Sequence, residues 1–192
     1  MRIAVFASGN GSNFQALVEY FKENEVPATI DWLFCDRPDA FVLQRAEKLG
    51  IKATCFSPKE FASKVLYEQA ILEELANHQI DLIVLAGYLR IIGKELLTAY
   101  ENKIINIHPS LLPDFPGLHG IRDAFEARVK ETGVTVHYVD SGVDTGPIIR
   151  QEKVEIEPQD TLVTLEEKIH RIEHRIFPEA IVELINMGDS TQ

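Results

Sequence analysis

Short apolar runs punctuate the first half of the chain: "RIAVFA" (2–7), "TIDWLFC" (29–35), "KATCFS" (52–57), "DLIVLAG" (81–87) and "KIINIH" (103–108). Each is bounded by glycine, proline or charged residues and predicts a strand. Between them apolar positions recur at helical spacing, over roughly 12–24, 39–49, 58–78 and 93–101. Strands separated by helices cannot pair through tight turns, so this half predicts βα units and a parallel sheet. The pattern then changes. A helix over about 119–130 is followed by "GVTVHYVD" and "GPIIRQEKVEI", two strand patterns joined by "SGVDTG", which predict an antiparallel excursion. A long terminal helix runs from Asp160, as its N-cap, to about Met187, with Pro178 as a kink. The fold class is therefore α/β: a Rossmann-like open sheet, mostly parallel, with an antiparallel excursion near the C-terminal part and helices on both faces. No repeat, low-complexity tract or linker interrupts it, so residues 1–192 read as one domain.

Composition narrows the function classes. The 192 residues are 45% hydrophobic and 26% charged, and no apolar run is long enough to span a bilayer. The N-terminal apolar stretch runs straight into a glycine turn without a cleavage-like segment, which reads as a cytoplasmic protein. A formal charge of −11 without clustered Lys and Arg argues against nucleic acid as a partner. It leaves room for a small phosphorylated ligand, because backbone N–H groups at one loop hold such a group whatever the global charge. Cys35 and Cys55, each in a predicted strand, read as buried thiols in a reducing compartment.

In open α/β sheets ligands bind beyond the carboxyl ends of the strands. Four loops qualify: "SGNGSN", "GYLR", "NIHPSLLP" and, if its strand order permits, "DSGVDTG". The first opens a helix with Ser12 as its N-cap. A plain strand-to-helix turn and a dinucleotide site are both readings of it, the second encouraged by Asp36 at the end of the next strand. Phe14 stands where the dinucleotide fingerprint needs its third glycine, so a single phosphate on Gly11, Ser12 and Asn13 is favoured.

Asn106 and His108 fall two residues apart in "KIINIH" and so share one strand face. The plainer reading of His108 is a hydrogen-bonded histidine at a strand end. An amide beside an imidazole is also a way to hold a developing oxyanion, and Pro109 restrains the backbone that aims the ring. Asp144 is the candidate orienter. "HRIEH" (170–174) matches an inverted zinc-peptidase pattern, but that class needs a further ligand well downstream and only 18 residues remain, so no metal site is assigned. Arg90, at a ligand-facing loop, pairs with a ligand carboxylate or snorkels. Lys59, Lys64 and Arg128 read as solvated helix charges. His78, His119 and His137 carry less weight, although His137 lies on a strand near the candidate site.

With these residues in view, the sequence resembles the phosphoribosylglycinamide formyltransferases, folate-dependent enzymes of purine biosynthesis. The resemblance rests on "SGNGSNFQAL", "DLIVLAGYLRII", "INIHPSLLPDFPGLHG", "GVTVHYVDSGVDTGPII" and "EHRIFPEAI", and covers nearly the whole chain. "HPSLLP" alone marks the wider formyl-handling superfamily, whereas "GNGSN" and "FPGLHG" favour the glycinamide branch over the methionyl-tRNA branch. The resemblance implies that Asn106, His108 and Asp144 are catalytic and that Gly11, Ser12 and Asn13 bind the substrate phosphate. It implies that Glu173 binds the ribose hydroxyls, with His170 where other members carry Lys or Gln. It also implies formyl-folate contacts at Lys64, at Leu89, Arg90, Ile91 and Ile92, at Asn106, and at Asp140, Ser141, Gly142, Val143 and Asp144. A cis bond before Pro113 is expected on the same ground. The implied cosubstrate is 10-formyltetrahydrofolate, without a metal, and the implied acceptor is glycinamide ribonucleotide. A formyltetrahydrofolate hydrolase and a noncatalytic phosphate- or nucleotide-binding module are the alternatives.

Overall fold

The computed structural model describes residues 1–189. Seven strands follow the order β3-β2-β1-β4-β5-β6-β7 in one sheet. They are β1 (Arg2–Ala7), β2 (Thr29–Cys35), β3 (Lys52–Cys55), β4 (Leu82–Leu85), β5 (Ile104–His108), β6 (Glu131–Tyr138) and β7 (Ile148–Glu155). The mostly parallel α/β class with an antiparallel C-terminal excursion is the one observed. Two compact units divide the chain, Met1–Ile105 and the part from Asn106 onward.

In the first unit β1 pairs parallel with both β2 and β4, and β2 pairs parallel with β3. Ile3 to Ala7 and all of β4 are buried, which is why these strands read as unbroken apolar runs rather than alternating ones. Phe6 and Phe34 meet edge-on at 5.1 Å between centroids, and Phe34 continues to Phe56 at 4.9 Å. The helices are α1 (Ser12–Glu23), α2 (Val42–Leu49), α3 (Lys64–Asn77) and α4 (Lys94–Ala99).

Two local expectations change here. The N-cap of α1 is Gly11, at φ 77°, and Ser12 is already the first helical residue. The helix expected over 58–78 is broken: Pro58–Glu60 forms a 3-10 turn closed by a Ser57–Glu60 capping box, Phe61 is extended, and Ser63 caps α3 by accepting from Leu66 N–H. Two capping signals six residues apart compete, and each starts its own turn.

In the second unit β6 and β7 pair antiparallel. α5 (Gly120–Glu126) precedes them and α6 (Leu162–Asp189) follows, packing on β6, β7 and α5. Leu165, Ile169, Ile176, Phe177, Ala180 and Ile181 form the buried stripe of α6, which runs on through Pro178. Its cap is Thr161 rather than Asp160. Thr161 and Thr164 exchange backbone-to-hydroxyl hydrogen bonds of 2.9 and 3.2 Å, while Asp160 accepts from Glu157 N–H and Lys168 Nζ. β7, last in the sheet order, buries only Val154.

Candidate active site

The second unit gathers a compact polar centre at the end of β5. Alternation sends Ile105 and Ile107 into the core and leaves Asn106 and His108 on the opposite face. Both reach Asp144, which lies in the turn between β6 and β7 at φ 55°. Asp144 Oδ2 stands 3.4 Å from His108 Nδ1 and accepts the Gly117 N–H at 2.8 Å. Its other oxygen lies 3.4 Å from Asn106 Nδ2 and 3.5 Å from His137 Nε2. Burial alone would raise the Asp144 carboxyl; the His137 hydrogen bond, the Gly117 N–H and the charge of His108 together hold it below the usual carboxylate range.

The second nitrogen of His108, Nε2, lies 2.8 Å from the Phe115 carbonyl oxygen. Both ring nitrogens therefore face oxygen atoms, Nδ1 the Asp144 carboxylate and Nε2 the Phe115 carbonyl. Phe115 sits at φ 53° in a loop that also holds the cis Leu112–Pro113 bond expected from the resemblance. Buried polar contacts fix this loop: Thr135 Oγ1 donates to Ser110 O at 2.6 Å and accepts from Leu112 N, and Gln151 Nε2 donates to Leu112 O at 2.8 Å.

Beside the centre, Asp140 Oδ1 accepts from Gly142 N–H and Thr145 Oγ1, closing the turn on itself. A Cβ at Gly146 would run into the Tyr138 backbone carbonyl, so that glycine is a packing requirement, whereas one at Gly142 would meet only the Thr145 side chain. Ser141 and Val143 are exposed in the same turn. On α6, Glu173 is buried and His170 exposed. Among the described residues no three His, Cys, Asp or Glu side chains gather as a metal site.

The first unit carries the remaining candidates. Gly11 is squeezed against α2, where a Cβ would lie 2.3 Å from Val42 Cγ2, and the Val42 N–H donates to Gly9 O. Ser12 and Asn13 open α1, directly after its Gly11 N-cap. Leu89 and Ile91 are exposed and Ile92 is buried. Arg90 is held by Asp36, Nε to Oδ2 at 2.6 Å, so the acid at the end of β2 is engaged by arginine rather than presented to a ribose. Lys64 stands 3.8 Å from Glu68, whose carboxylate accepts the Gly93 N–H at 2.6 Å.

A family model described as Formyl transferase matches residues 1–181. The chain belongs to the formyl transferase family. It is 52% identical over 188 residues to the phosphoribosylglycinamide formyltransferase of Bacillus subtilis (strain 168), covering 98% of this chain and 96% of that protein. It is 42% identical to the trifunctional purine biosynthetic protein adenosine-3 of Drosophila melanogaster, of whose length it spans 14%. The crystal structure of phosphoribosylglycinamide formyltransferase from Bacillus halodurans superposes with a TM-score of 0.94 at 49% identity, over 96% of this chain and 95% of that one.

Two residues of this formyl transferase were under-read in the sequence. His137 touches both Asn106 and Asp144, and its place three residues before Asp140 on an apolar strand was the available signal. Arg45 of α2 donates from Nε to Asn10 O and from Nη2 to Asn10 Oδ1, each at 2.8 Å, and also bonds Gln15. No role was assigned to it from sequence, because its partner Asn10 lies 35 residues away in the chain. Among the described residues no helix is long and apolar enough to cross a membrane.

Proposed function

We infer that this chain transfers a formyl group from 10-formyltetrahydrofolate to the amine of N1-(5-phospho-D-ribosyl)glycinamide, a step of purine biosynthesis. The observation that carries the reading is end-to-end similarity to the B. subtilis formyltransferase together with the convergence of Asn106, His108 and Asp144. The neutral amine attacks the formyl carbon and an oxyanion forms. Asn106 donates a hydrogen bond to it. As the new C–N bond forms and the bond to N10 of the folate breaks, N10 takes a proton and the attacking nitrogen loses one. His108 is the carrier, its Nε2–H exchanging the Phe115 carbonyl for the reacting group, and Asp144 keeps the ring oriented and charged.

Gly11, Ser12 and Asn13 take the phosphate on the backbone N–H groups of α1. Glu173, with His170, serves the ribose. Lys64, Leu89 to Ile92, Asn106 and Asp140 to Asp144 contact the folate. No resident metal enters, and the whole chain works as one domain in the cytoplasm, acting on small molecules rather than nucleic acid or membranes.

One assay tests this. Purified chain is given both substrates and tetrahydrofolate release is followed; product is expected only when glycinamide ribonucleotide is present. Release without the amine would mean hydrolysis, and no release would leave a binding module.

A further inference from the structure

We propose that His137 is a positioning residue that decides which end of the Asn106 amide faces the reacting formyl oxygen. This rests on the reading of Asn106 as an oxyanion donor. The ring of His137 is 2% exposed on β6, so its partners are protein atoms rather than solvent. Nδ1 lies 2.8 Å from the Tyr138 carbonyl oxygen. A bare nitrogen there would set two lone pairs against each other, so Nδ1 carries a hydrogen whatever the charge of the ring.

The state of Nε2 is then what varies. It lies 3.2 Å from Asn106 Nδ2 and 3.5 Å from Asp144 Oδ1, while Asn106 Nδ2 is also 3.4 Å from Asp144 Oδ1. With a neutral ring, Nε2 accepts one amide hydrogen of Asn106 and Asp144 accepts the other. Both N–H bonds are consumed, and the amide presents its oxygen to the opposite side. An oxyanion arriving on that side would meet lone pairs.

With Nε2 protonated the pattern reverses. Nε2–H donates to the amide oxygen, or to Asp144 Oδ1, and the Asn106 N–H groups turn outward as donors. The two ends of an amide are alike in size, so the reversal needs no repacking. It brings the amide oxygen to where Nδ2 stood, 3.4 Å from Asp144 Oδ1, and the Nε2–H that faces both oxygens offsets their repulsion. Asp144 thus serves two imidazoles, His108 at one oxygen and His137 at the other.

The test is steady-state kinetics on the full chain with H137L, H137Q, N106A and the N106A/H137L double variant. H137L is expected to lower kcat about ten- to a hundredfold with little change in either KM. H137Q, whose amide keeps a donor near the place of Nε2, is expected to recover most of that loss. In the N106A background H137L should cost nothing further, because its effect passes through Asn106. In the wild-type chain labelled with 15N-histidine, Nε2 of His137 is expected to be protonated when a formyl-folate analogue is bound, a readout that needs no variant to fold. Four results would each overturn the proposal: H137L at wild-type turnover, H137Q folded yet as slow as H137L, costs that multiply in the double variant, or a bare Nε2 in the bound complex. Normal turnover by N106A would instead remove the underlying assignment of Asn106.

Discussion

Gly117 donates its backbone N–H to Asp144 Oδ2 across 2.8 Å, tying the proline-rich loop to the turn after β6. The carboxyl is depressed in the folded state, so it stabilises the fold fully above its unfolded value, about 3.9. That stabilisation fades as pH falls through the lower folded value. Urea unfolding of wild type and Asp144→Asn should therefore differ most near neutrality, with the gap narrowing below about pH 4. A gap independent of pH would contradict this balance of charges.

Asn106→Ala should fold normally and lose roughly a hundred- to a thousandfold in turnover, the usual cost of one oxyanion donor. Single-turnover formyl transfer is the direct measurement. Near-normal rates would take Asn106 out of the chemistry.

Arg45 grips Asn10 by backbone and side chain together, which fixes the loop proposed to hold phosphate. Arg45→Ala should raise the KM for glycinamide ribonucleotide about tenfold or more while kcat changes little, since hydrogen bonds from a charged donor contribute about 1.5–3 kcal/mol. Arg45→Lys should restore little, because an ammonium cannot reproduce the planar fork. An unchanged KM would show that the loop holds its shape without the clamp.

Gly11 is constrained twice, by φ 77° and by Val42. Gly11→Ala should cost about 1–3 kcal/mol, read as a lower midpoint of thermal unfolding. Gly9 has nothing within 4 Å of its would-be Cβ. Gly9→Ala should stay within about 1 kcal/mol of wild type. Equal effects at the two positions would refute the crowding argument.

Much of the fold was legible because buried parallel strands must be apolar on both faces: "IAVFA" and "LIVL" admit few other readings. The shared polar face of β5 was legible because Asn106 and His108 interrupt an isoleucine run at a spacing of two. What escaped was local competition. Ser12 and Asp160 have the right chemistry for caps, yet Gly11 and Thr161 take those positions, the first through a left-handed backbone and the second through a reciprocal bond with Thr164. The Phe115 carbonyl on His108 depends on a positive φ that a phenylalanine does not advertise. His137 needed the register of β6 before its contacts had meaning.

β7 ends the sheet order with a sequence of charges: Arg150, Glu152, Lys153 and Glu155. Arg150 pairs with Glu179 and Glu183, Glu152 with Arg175 and Lys153 with Glu131, so an incoming strand from another copy would have to accommodate a row of fixed ion pairs along that border. The border is thus guarded against runaway strand addition, and the chain is expected to stay dispersed at concentrations where a bare apolar rim would seed fibres.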